Sequence, residues 1–157
     1  MTMIWKIRNG YTLIEILVAL TIIGLLFSFG YVSFRDYSRR QAVSDAVKTI
    51  QGDLRLAEGD AITGQKPTGC NTTLDTFSFT IVSQWEYKIE GNCGITTIPV
   101  KDVILPSGIT ISTPPALQFK VLGQGTNIVG ASWVITVSQT GTTNTGKVTV
   151  TTGGDIQ

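Results

Sequence analysis

The chain of 157 residues has no histidine, only two cysteines and almost no net charge. Without histidine, the side chain most often used as a general base at neutral pH is missing, and no nucleophile stands beside a base. Cys70 and Cys93 lie 23 positions apart with no CxxC spacing, so neither a zinc centre nor a dithiol redox centre is supported. Twelve Lys and Arg stand against eleven Asp and Glu, and no basic excess advertises nucleic acid. The one acid pair at identifiable spacing is Glu86 and Glu90, which with Lys88 reads as the solvated face of a strand. Gly123-Gln124-Gly125 lacks the further glycine and following helix of a phosphate loop and reads as a turn. Asp75, Asp102 and Asp155 are scattered acids that read as surface rather than as Ca2+ ligands. The expectation is a protein without catalytic residues, metal, cofactor or small-molecule substrate.

What the chain does have is one long apolar run. Residues 16–34 are 19 consecutive positions without a charge, and a helix of that length covers roughly 28 Å, about one bilayer core. Glu15 stands immediately before the run. A carboxylate drawn unpaired to the bilayer centre costs on the order of 2.5 to 3.5 kcal/mol, so it needs a partner. Residues 1–10 form a short polar leader carrying Lys6 and Arg8 and no acid. A secretory signal peptide has its small-residue cleavage site after the apolar region, whereas Gly10 precedes it.

The segment Gly10-Tyr11-Thr12-Leu13-Ile14-Glu15 resembles the type III signal of type IV pilins and pseudopilins, with Tyr11 where that family usually has Phe. The resemblance implies cleavage after Gly10 and N-methylation of Tyr11 by a prepilin peptidase. It also implies packing with other pilin or pseudopilin subunits, in which Glu15 of one subunit neutralises the α-ammonium of a neighbour and so sets helix register. The implied location is the bacterial inner membrane, crossed once, with the globular part exported and later assembled into a pilus or pseudopilus.

Beyond the apolar run, Val43, Val47, Ile50, Leu54, Ala57 and Ala61 recur at spacings of four and three, one stripe of a helix. Arg39, Arg40, Asp45, Lys48, Asp53, Arg55 and Glu58 fall mostly off it and are expected on the wet side. Gly64 and Pro67 supply the stop. Gly52 and Gly59 either permit close packing or mark a bend, or are simply tolerated. The period then switches to alternation: Phe77, Phe79 and Ile81, then Trp85, Tyr87 and Ile89, predict a hairpin. Further strands are expected at 103–105, 109–112, 117–121, 133–137 and 147–151, separated by Gly- and Pro-rich turns.

The expected fold is α+β and pilin-like, one long N-terminal helix packed on a small antiparallel β domain. The expected organisation is 1–10 leader, 11–34 transmembrane or fibre-core helix, 35–64 amphipathic helix half and 65–157 β-rich domain. For an exported domain, a Cys70–Cys93 disulfide would stabilise by roughly 3 kcal/mol; two free structural thiols are the alternative.

The segment from Leu54 to Gly64 is similar to the "LRxARxxAIxxG" stretch of the GspH/FimT group of minor pseudopilins and minor pilins. Leu105-Pro106-Ser107-Gly108-Ile109-Thr110-Ile111 resembles that group's "LPxGVxI" turn, and Phe119 followed by Gly123 its "FxxxG" strand. Three functions follow: a minor pseudopilin of a type II secretion system, a minor type IV pilin, or a DNA-capturing minor pilin. The last is disfavoured because residues 138–157 offer Lys147 as their one cation.

Overall fold

Thr12 starts the helix. Its hydroxyl oxygen accepts a hydrogen bond from the Glu15 N–H at 3.3 Å, and its carbonyl accepts the N–H groups of Glu15 and Ile16. Thr at the N-cap with Glu three residues on is a capping box in sequence, and the acid also suits the positive end of the helix dipole. The computed structural model describes residues 11–157; the leader with Gly10 lies outside the described residues, as do the side chains of residues 28–33.

The first element, α1, runs Leu13–Thr63. It ends where Gly64 adopts a positive φ of 66°, with Gly64 N–H donating to Ala61 O and Gln65 N–H to Asp60 O. That pair of bonds is a Schellman closure, and only a residue without Cβ takes the left-handed position cheaply. Seven strands follow: β1 (Leu74–Ser83), β2 (Glu86–Cys93), β3 (Thr96–Ile104), β4 (Ile109–Ile111), β5 (Leu117–Lys120), β6 (Ser132–Gln139) and β7 (Thr145–Thr151). They form two antiparallel sheets, one ordered β3-β2-β1-β5 and one ordered β4-β6-β7.

The chain divides after Ser38 into two units. In the second, from Arg39, the buried stripe of α1 comprises Val43, Ala46, Ile50, Leu54, Ala57 and Ala61, and it shares one core with the inner faces of both sheets. Register lines those faces up: Phe77 lies opposite Gly91 and Phe119, and Phe79 opposite Ile89 and Leu117. Phe79 stacks on Tyr87 at 4.8 Å and meets Trp133 edge-on at 5.9 Å, so one ring joins the two sheets. Fully burying residues such as Ile50 and Leu54 stabilises by about 1.5 to 3 kcal/mol each.

Two expectations need correction. Asp53 is not on the wet side; it is 6 % exposed within the core. The third strand begins at Thr96 rather than 103, because β3 is an exposed edge strand whose side chains do not alternate between buried and wet, and Pro99 masks it. Gly52 and Gly59 are the tolerated kind: a Cβ on either would meet nothing within 4 Å. Close approach occurs instead at Gly146, where a Cβ would lie 2.6 Å from Val47 Cγ2.

Candidate functional site

The first candidate is the start of α1. From Tyr11 through Phe27 every described side chain is exposed, including Leu13 at 83 %, Leu17, Ile22, Leu25 and Phe27. A helix apolar on all sides has no face to turn to water, and it is stable only in lipid or against other proteins. Among the described residues no helix is long and apolar enough to cross a membrane. The unbroken run of described side chains at the start of α1 reaches Phe27, and residues 13–27 span about 22 Å of helix against a bilayer core of about 30 Å. Tyr11 is exposed at one end of this surface, and Glu15, exposed too, sits one turn inside it. Sequence reasoning treated Glu15 only as a partner for another charge. Its backbone N–H, at the N3 position of the cap, also donates to the Thr12 hydroxyl, and the Thr-x-x-Glu spacing was the signal for that cap.

The second candidate was not foreseen. The Asp53 carboxylate accepts the Tyr87 hydroxyl at 2.7 Å through Oδ2 and the Lys101 ammonium at 2.6 Å through Oδ1. Burial, and then the hydrogen bond and charge of Asp53, hold the Tyr87 phenol far above its ordinary range. The three residues come from α1, β2 and β3, so the cluster ties the edge strand to the helix. No spacing pattern announces such a triad; its one sequence signal is an acid flanking a buried leucine in a helix stripe. With the phenol held protonated and the carboxylate shared between Tyr87 and Lys101, the arrangement acts as a structural clamp between three elements.

The remaining candidates are dispersed. Cys70 and Cys93 are joined by a disulfide, with Cα atoms 5.8 Å apart. Lys88 pairs with Glu90 at 2.7 Å on the outer face of β2, and that hydrogen bond raises the pKa of the lysine. Asp75 accepts the Gly94 N–H, whereas Asp155 stands near Glu58, whose pKa is raised by burial and then by Asp155. Among the described residues no three Asp, Glu, Cys or His groups gather as a metal site. Gly123 ends the 3-10 turn Val121–Gly123 and Gly125 follows it, both with positive φ, so the glycine pair is a turn.

A long helix exposed and apolar at its start, with a two-sheet domain around its second part, is a pilin-like α+β fold. A family model of the prokaryotic N-terminal methylation motif matches residues 5–31. Over 71 residues the chain is 31% identical to a fimbrial protein of Pseudomonas aeruginosa, covering 45% of this chain and 46% of that one. It is 34% identical over 71 residues to the type IV major fimbrial protein FimA of Dichelobacter nodosus, covering 38% and 44%. The chain thus spans less than half the length of these curated relatives. Its fold is similar to that of the minor pseudopilin EpsH from the type 2 secretion system of Vibrio cholerae, with a TM-score of 0.55 and 11% identity, over 73% of this chain and 94% of EpsH.

Proposed function

We propose that this chain is a minor pseudopilin, a structural subunit of a type II secretion pseudopilus that works by assembly and carries no chemistry of its own. The observation that carries the reading is the apolar start of α1, exposed on every side behind a methylation motif. A prepilin peptidase cuts after Gly10 and methylates Tyr11, which leaves an α-ammonium four residues from Glu15. The apolar helix holds the subunit in the inner membrane, with its domain exported, until it packs among other pilin or pseudopilin subunits. There Glu15 neutralises a neighbour's α-ammonium. An ion pair in low dielectric offsets its desolvation only with good geometry, so it selects one stagger of the helices over others.

A second reading, a minor type IV pilin serving pilus initiation, adhesion or twitching, is favoured by the fimbrial relatives. Genomic neighbourhood separates the two: a secretin with secretion genes supports the first, a retraction ATPase supports the second. DNA capture for transformation is supported less, because Lys101 is tied to Asp53 and Lys88 to Glu90.

Intact mass of the membrane-extracted protein tests the reading common to both fibres. The expected mass begins at methylated Tyr11; a mature N-terminus at Met1, or one beyond Phe34, overturns it.

A further inference from the structure

The segment 64–73, between α1 and β1, has no regular structure of its own, yet it is fastened at three points to the β2–β3 hairpin. Pro67 sits on Gly91: a Cβ there would lie 2.7 Å from Pro67 Cγ, closer than real Cβ atoms come, so the proline ring occupies a seat that only glycine leaves open. Gly69 approaches the side chain of Ile98 on β3. Cys70 is bonded to Cys93, the last residue of β2 and itself 1 % exposed. Within the segment, the Cys70 N–H donates to Pro67 O and Lys66 Nζ donates to Thr72 O. Docked in this way, the segment walls a cleft of about 300 Å3 lined by Lys66, Pro67, Phe77, Pro99 and Val100 among others.

The disulfide adds little to the pairing of the strands it touches. Leu74 already pairs with Cys93, and β1 and β2 pair continuously from Thr76 to Ile81 without it. Their inner residues Phe77, Phe79, Tyr87 and Ile89 are fully buried against α1 and β5. The covalent bond therefore fastens the loop, not the sheet. A loop held otherwise by the Pro67 seat, the approach of Gly69 to Ile98, the contact of Thr72 with Gly94 and a few short hydrogen bonds belongs to the low-stability end of a domain.

We propose that segment 64–73 is a redox-gated loop: it is docked on the β2–β3 hairpin when Cys70 and Cys93 are joined, and released when a dithiol reductant such as dithiothreitol breaks the S–S bond, giving two cysteine thiols and itself becoming a disulfide, with the rest of the domain folded in both states. The cleft then exists in an oxidising compartment and opens in a reducing one, so this part of the surface is completed only on export. The device is independent of which fibre the subunit enters.

Hydrogen exchange followed by mass spectrometry on the full-length protein in detergent tests it, with thiols reduced at quench so that both states yield the same peptides. On reduction before labelling, peptides covering 65–72 should exchange at least tenfold faster, while peptides from β1 and β2 change less than twofold. Unchanged exchange in the loop overturns the gate. An equal rise across β1 and β2 overturns it too, because the bond would then hold the whole domain. Gly91→Ala, with the cysteines intact and oxidised, checks the seat separately: the added methyl should displace Pro67 and speed exchange at 65–69 severalfold. Wild-type protection there would mean that Pro67 is not what docks the loop.

Discussion

Asp53 shows how one side chain decides the behaviour of two others. Its oxygens are buried and cannot reach water, whereas the Lys101 head lies at the edge of the sheet, with its side chain 42 % exposed. Removing each partner therefore has unequal effects. Lys101→Met leaves a buried carboxylate with only the Tyr87 hydroxyl and should destabilise the domain by about 1 to 3 kcal/mol. Asp53→Asn keeps the hydrogen bond to Tyr87 and lets the lysine turn outward, so it should cost less. Urea unfolding of a chain beginning at Arg35 measures both, and equal costs would contradict the asymmetry. That chain contains two tyrosines, Tyr37, which is exposed, and the buried Tyr87. An acid held above its ordinary value in the fold keeps its proton more tightly folded than unfolded. The stability it contributes is present below about pH 10 and is lost as pH rises past that value. Absorbance at 295 nm should thus show Tyr87 ionising only as the domain unfolds; a reversible ionisation of Tyr87 in the folded domain would exclude the clamp. Glu15→Ala should leave membrane insertion intact, since the helix only becomes more apolar, yet lower incorporation into sheared fibres. Wild-type incorporation by immunoblot, in cells making the other subunits, would contradict a registry role.

Among the elements, α1 and the strands differ in how openly the sequence declares them. The second part of α1 could be read residue by residue because its stripe repeats at helical spacing and Gly64 closes it, and β1 and β2 because their aromatics alternate. The edge strand β3 was mostly hidden, since only Ile98 and Val103 of it pack against the core and a largely exposed edge imposes no alternation. The Asp53 clamp was hidden for a different reason: its partners lie 34 and 48 residues away, and only tertiary packing brings them together. Glycines within these elements now separate into two classes. Gly52→Ala and Gly59→Ala put a methyl into open space and should each stabilise the domain by about 0.5 to 1 kcal/mol, through helix propensity and a less free unfolded chain. Gly146→Ala drives a methyl against the stiff Val47 side chain and should destabilise it. Thermal unfolding of the three variants is the check, and a stabilising Gly146→Ala would refute the packing.

For the molecule as a whole, charge is the property that limits partners. Without Lys6 and Arg8 the side chains sum to ten cations against eleven anions. Among the described residues Lys88 is paired with Glu90 and Lys101 with Asp53, leaving Lys66, Lys120 and Lys147 as exposed lysines of the β domain far apart in sequence. Double-stranded DNA should therefore bind the chain beginning at Arg35 no better than non-specifically, with Kd at or above about 10⁻⁴ to 10⁻⁶ M at physiological salt. Fluorescence anisotropy measures this, and tight binding with a steep salt slope would favour DNA uptake instead. The turn between β1 and β2 bears on a different whole-molecule property. Gln84 O accepts the Ile111 N–H from β4, and Trp85 O accepts the Leu105 N–H, so the hairpin tip of one sheet is hydrogen-bonded to the edge of the other. With Phe79 and Trp133 in contact behind it, neither sheet can melt without stripping partners from its neighbour. The domain from Arg39 onward is accordingly a single cooperative unit, and calorimetry should record one transition whose van't Hoff and calorimetric enthalpies agree.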